Sequence, residues 1–214
     1  MRARDHALNV LRIGFAVTAV VAMTYQFAST GDRTAFNTAN FFSFFTIQSN
    51  IFAVVMLALA VVVRRDERTA GFDAVRGGVT LYIAITGVVF ALLLSGLQEE
   101  LQTTIPWVDF VVHKLIPIVV VADWLVDPPR HRLPLRVAGA WLAYPAAWLA
   151  YTLVRGEIVD WYPYPFVDVG ELGYGGVLLR CVALLVGFVA AAVLFLLIGN
   201  RRASRSVRAS VPSA

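Results

Sequence analysis

Residues 172–200 read LGYGGVLLRCVALLVGFVAAAVLFLLIGN, and Arg180 is the one charged side chain among them. A bilayer core of about 30 Å is crossed by about 20 mostly apolar residues in an α-helix. The stretch exceeds that length, so it is expected to tilt or to continue beyond the membrane. It is continuously apolar rather than alternating, and a barrel strand would be about half as long, so it reads as a helix.

Working outward, five more apolar runs precede it, at about 8–28, 40–63, 76–97, 107–126 and 133–154. Six runs take up about two thirds of the 214 residues, and the stretches between them are too short for a separate soluble domain. The composition agrees: 59% of residues are hydrophobic, 15% are charged and the mean hydropathy is +0.72. A soluble domain carries about a quarter charged residues. A soluble globular enzyme and a disordered chain are thereby excluded. Cys181 is the sole cysteine, which also excludes a disulfide-stapled module. The expected fold is all-α: one polytopic membrane domain over 1–214 with six transmembrane helices. The first run is expected to be a retained span, because no small-x-small cleavage site follows it.

Charge sets the orientation. With the amino terminus inside, fourteen arginines, from Arg2 and Arg4 to Arg205 and Arg208, fall on one side, against Arg33 and Arg155 on the other. By the positive-inside rule both termini are expected in the cytoplasm, in a multi-pass cell-membrane protein. This asymmetry accounts for the net charge of +4 without nucleic acid as a partner. The opposite loops carry Asp32, Glu99, Glu100, Glu157, Asp160, Asp168 and the run Trp161-Tyr162-Pro163-Tyr164-Pro165-Phe166. With Trp107, Trp148 and Tyr151, that run reads as an outer interfacial belt; a lid over a site is the other reading.

Polar side chains inside a span are costly and mark candidate sites. In the second run Ser43, Thr46 and Asn50 are spaced i, i+3, i+7, which puts them on one helix face; Gln48 and Ser49 lie among them. In the fourth, Asp109 and His113 are four apart and also stack. Thr46 and His113 each lie six residues in from the outer side, about 9 Å at 1.5 Å per residue, and Arg180 is at a comparable depth. Pro117 lacks an N–H, so the His113 carbonyl loses its helical donor and the backbone there is loosened. Asp123, near the inner end, is expected to pair with Arg130 or Arg132. His6, His113 and His131 fall at different depths, so no metal site is expected, and no cofactor.

Phe44-Phe45-Thr46-Ile47-Gln48-Ser49-Asn50, with His113-Lys114-Leu115-Ile116-Pro117 and the later Asp123-Trp124, resembles the androgen-induced-gene / androgen-dependent TFPI-regulating protein family, through its bacterial six-helix relatives. The eukaryotic members are described as intramembrane threonine hydrolases of fatty acid esters of hydroxy fatty acids. The resemblance implies a lipid-ester hydrolase of a bacterial inner membrane, with Thr46 as nucleophile and His113 as base. Its partner would be a membrane lipid or fatty-acyl ester.

The residues suit such chemistry. A threonine hydroxyl needs a base, and imidazole titrates near neutral pH. Asp109 is placed to orient the ring, as the acid of a triad does. Asn50 is placed to donate to an oxyanion. Ser43, Gln48 and Arg180 are candidate substrate-binding groups, Arg180 for a carboxylate or else as a partner of Asp109. Two other classes stay open: a small proton-coupled transporter using Asp109, His113, Lys114 and Arg180 as a relay, and a non-catalytic lipid-binding membrane protein.

Overall fold

The computed structural model describes residues 3–31, 37–97 and 105–208, the side chains of 31 and 204–208 excepted. Arg2, Asp32, Arg33, Glu99 and Glu100 lie outside the described residues. The chain is all-helical, 86% helix, with no strand among the described residues. Five helical stretches are long and apolar enough to cross a membrane: Ala3–Thr30, Phe45–Val62, Ala70–Leu94, Arg136–Val159 and Val169–Ala203.

Helix α1 is Ala3–Gly31. The expected second run is two helices, α2 (Thr38–Ser43) and α3 (Phe45–Val62), parted at Phe44, whose φ −65° and ψ 127° are extended. Ser43 and Thr46 therefore do not share a helical face. Neither glycine nor proline marks this break. The Asn37 side chain caps α2, accepting from the N–H groups of Ala39 and Asn40.

Helix α4 (Ala70–Val89) starts six residues earlier than the apolar run suggested, behind an N-cap at Thr69 whose hydroxyl accepts from the Phe72 N–H. It runs on into a π-turn, Phe90–Leu94. The fourth stretch is helical from 106 to 126 but changes pitch inside: α5 (Pro106–Phe110), a π-turn (Val111–Leu115) and α6 (Ile116–Val126). The Ile116 N–H bonds the Val111 carbonyl, five residues back. One extra residue in a turn next to Pro117 is how the helix accommodates the missing N–H there.

Helices α7 (Arg136–Trp141) and α8 (Ala143–Val159) follow almost without interruption. Pro145 deprives the Trp141 carbonyl of its helical donor, and the Tyr82 hydroxyl replaces it at 2.9 Å. The Trp141 indole in turn lies against Gly77 and Gly78 of α4, where a Cβ would meet ring atoms at 2.6 and 2.8 Å. Helix α9 (Val169–Arg208) is broken near its start by Gly173, at φ 64°. A side chain there would be strained, so glycine permits the turn. Most of α9 is exposed and apolar, as on a lipid-facing helix.

The bundle packs α1 on α3 and α6, α3 on α4, and α4 on α6 and α9. At one end Arg4 donates to the Val126 carbonyl (2.5 Å) and Arg202 to the Leu125 carbonyl (2.6 Å). Asp123 pairs there with Arg12 and Arg76, both at 2.7 Å, rather than with Arg130 or Arg132. The nearer arginines lost to partners that folding brings from other helices.

Candidate functional site

The Trp161–Phe166 run turns inward, against the expectation of a belt. Tyr164 is buried, and Tyr164, Phe166 and Val167 line a cavity in the bundle. Two prolines in the run and a short 3-10 turn, Pro165–Val167, keep it compact. The Tyr164 ring packs edge-on to Phe44 and is stacked on Phe166, 5.1 Å between centroids. Its apolar neighbours offset the cost of taking a phenol out of water, provided that its hydroxyl is bonded.

That hydroxyl meets Thr46. It accepts from the Thr46 backbone N–H at 3.2 Å and lies 3.2 Å from Oγ1. Phe44, at the N-cap of α3, has no side chain able to cap, so the phenol satisfies an exposed helix-terminal donor from outside the helix. Burial raises the Tyr164 pKa, so the group stays neutral and acts as donor or acceptor rather than as a base.

The cavity has a volume of about 370 Å³, within the range of small-ligand sites. Its lining is apolar apart from groups such as the hydroxyls of Thr46, Thr86 and Tyr164 and the thiol of Cys181. Leu178 and Leu185 of α9 line it and are also more than half exposed, so its mouth lies on an apolar outer face. Thr86 is itself bonded to Ser49 at 2.9 Å, tying α3 to α4.

On the neighbouring helix, His113 Nδ1 lies 2.9 Å from Asp109 Oδ1, and both side chains are buried. The ring stacks on Phe90, 3.9 Å between centroids at 10°. Carboxylate and aromatic plane together leave the imidazole little freedom. A neutral ring facing the carboxylate in this way carries its proton on Nδ1. Gly87 of α4 permits this closeness: a Cβ there would lie 3.3 Å from the His113 carbonyl and 3.0 Å from Pro117.

Asn50 joins the two helices. Its Nδ2 donates to the Thr46 carbonyl (2.9 Å) and to the Val112 carbonyl (3.1 Å), which brings α3 beside the π-turn holding His113. Both partners are acceptors, so the amide nitrogen must face them. Both N–H groups are thus used, and the oxyanion-donor role expected for Asn50 is not available in this arrangement. Its Oδ1 is buried without a partner.

The remaining candidates are dispersed. Ser43 bonds the Ala39 carbonyl and Tyr151, and Gln48 bonds the Phe42 carbonyl and Tyr144. Arg180 is exposed and donates to the Gly176 carbonyl of its own helix, so it pairs with neither Asp109 nor the cavity. Lys114 is exposed as well. The four groups of the proposed proton relay are therefore not gathered. Thr46 Oγ1 and the His113 ring, although on adjacent helices, share no hydrogen bond; Tyr164 takes the threonine side and Asp109 the histidine side. Tyr164 is the site residue that sequence reasoning assigned elsewhere; the lid reading of its loop was the available signal.

Comparison of the chain with protein-family models, with curated proteins and with solved structures finds no match.

Proposed function

We propose that the chain is a six-span membrane protein, both termini cytoplasmic, that takes the acyl chain of a lipid ester into the α9-facing cavity and hydrolyses the ester at Thr46. Two facts support the six crossings. Helical turns continue from 106 to 126 although their pitch changes. Arg4 and Arg202, near the two ends of the described chain, bond consecutive carbonyls at the end of α6, as an even number of crossings requires. The arginine excess at that end supports its assignment to the cytoplasm.

The observation that carries the catalytic reading is the Thr46 hydroxyl on the wall of an apolar cavity whose mouth lies on the lipid-facing side. An ester carbonyl seated there displaces the Tyr164 hydroxyl from Oγ1. Thr46 Oγ attacks the carbonyl carbon and its proton passes by way of one bridging water to His113, held in orientation by Asp109. The alcohol leaves with that proton, and water activated by the same ring releases the acid from the acyl-threonine. The Tyr164 O–H and the Thr46 N–H, at the positive end of α3, supply the donors for the developing oxyanion.

The test is release of free fatty acid from a fatty acid ester of a hydroxy fatty acid by protein in nanodiscs. The reading requires turnover that falls at least a hundredfold in both Thr46→Ala and His113→Ala. Equal turnover in wild type and both variants refutes it.

A non-catalytic lipid-binding protein is the second reading. It is favoured by Thr46 Oγ1 being bonded to Tyr164 while His113 is absent from the cavity wall. It requires copurifying lipid in wild type and both variants, without turnover.

A further inference from the structure

The opposite end of the bundle holds a second cavity of about 210 Å³, partly apolar along Val61 and Val63 and lined also by Arg12, Arg64, Arg65 and Arg68 together with Asp5, Asp66 and Asp127. Its volume accommodates on the order of ten waters, ample for a tetrahedral anion. Arg64 and Asp66 pair with each other in the open at its rim.

Behind the rim the charges do not balance. Asp127 is shared by Arg12 (2.5 Å), Arg68 (2.7 Å) and Arg65, while Asp123 is shared by Arg12 and Arg76. Four guanidiniums thus pair directly with two carboxylates, with a third, Asp73, in electrostatic reach of Arg65 and Arg76, and Arg12, Arg68, Arg76, Asp73 and Asp127 are all buried. Carbonyls take part of the surplus: Ala60 accepts from Arg12 and Arg68, and Asp127 from Arg76. One donor remains. Arg68 is 4% exposed, and its Nε is buried with no hydrogen-bond partner. Burial, the largest cause, and then the neighbouring Arg76, Arg12 and Arg65 push its pKa down to about 10. An unsatisfied buried donor on a charged group is costly, and structures that keep one supply an acceptor for it.

We propose that this cavity binds a phosphate-bearing anion, with Arg68 and Arg65 as its principal ligands. Asp127 and the Ala60 carbonyl hold the two terminal nitrogens of Arg68, so Arg68 offers its Nε alone and the half-exposed Arg65 supplies the further N–H groups, all in charge-assisted bonds. The same chemistry is offered by the headgroup of an anionic phospholipid in the adjoining leaflet and by a free phosphate. Asp5, half-buried in the lining, opposes the anion and sets its affinity.

The test uses the full chain in two arms. Native mass spectrometry in mild detergent compares retention of phosphatidate with retention of phosphatidylcholine. Thermal unfolding in phosphatidylcholine nanodiscs compares added inorganic phosphate with chloride at equal ionic strength. Preferential phosphatidate retention, at least tenfold weaker in Arg65→Gln and Arg68→Gln and stronger in Asp5→Asn, supports a headgroup ligand. A phosphate-dependent rise in unfolding temperature with the same variant order supports the free anion. Arg65, half-exposed, is the substitution that folding tolerates if Arg68→Gln does not fold. Absence of preference in both arms, or a preference unchanged in folded Arg65→Gln, overturns the proposal.

Discussion

The Tyr164 hydroxyl lies 3.2 Å from the backbone nitrogen of Thr46 and 3.2 Å from its Oγ1, across 118 residues of chain. One phenol thereby caps α3, fastens the 160–168 loop into the bundle and occupies the hydroxyl proposed as nucleophile. The loop that closes the cavity and the start of the helix that carries the site are one hydrogen-bonded unit.

Removing only the phenolic oxygen separates the cap from the packing. Tyr164→Phe keeps the ring among Phe44, Trp148 and Phe166 and should lower stability by about 1 kcal/mol, as loss of a helix cap does. Tyr164→Ala should cost roughly 3–5 kcal/mol, because it also leaves a void. Denaturation of both variants in mixed micelles measures the difference. A Tyr164→Phe variant as stable as the wild type would mean that the hydroxyl contributes nothing; equal losses in the two variants would mean that the ring does not.

Asn50 is tested by its isostere. Asn50→Asp sets carboxylate oxygens against the Thr46 and Val112 carbonyls; the Val112 carbonyl loses its side-chain donor, while the Thr46 carbonyl keeps the Ser49 hydroxyl at 3.1 Å. The expected loss is roughly 1–3 kcal/mol for the Val112 carbonyl left without its donor. A variant as stable as wild type would show that α3 and the fourth helical stretch are not joined there.

The glycines divide cleanly. Gly77→Ala and Gly78→Ala press a methyl into the Trp141 ring and should cost about 1–3 kcal/mol by overpacking. Gly14 and Gly187 have open space beyond their α-carbons. Alanine there should stabilise by up to about 1 kcal/mol through helix propensity. Thermal unfolding of the four variants checks the sign of each.

At the arginine-rich end, Asp127→Asn leaves Arg12, Arg65 and Arg68 without their shared carboxylate. Breaking a buried ion pair from one side costs about 3–5 kcal/mol. Asp66→Asn, in the exposed pair with Arg64, should shift stability by less than about 0.5 kcal/mol. Expression yield and unfolding midpoint discriminate the two.

Five of the six apolar runs were legible as helices long enough to cross a membrane, and 172–200 announced α9 without any help from its neighbours; the run at 107–126 is not among the five. Finer breaks were not. Phe44 leaves the helical region between residues that all favour helix or burial, and the pitch change at Val111–Leu115 follows from packing around Pro117 and Gly87. Asp109 and His113 were legible as a pair because four residues is a local distance. Tyr164 on Thr46 and Arg12 on Asp123 were not, since nothing local in the chain encodes a partner more than a hundred residues away. An aromatic run reads alike whether it lies at an interface or turns inward; the hydroxyl's need for a partner decided it here.

The most direct measurement is the site of modification by a long-chain fluorophosphonate, located by mass spectrometry of the protein labelled in nanodiscs. The account predicts an adduct on Thr46 Oγ in the wild type, lost in Thr46→Ala and at least tenfold slower to form in His113→Ala. An adduct on another residue, or labelling that persists undiminished in Thr46→Ala, would contradict it.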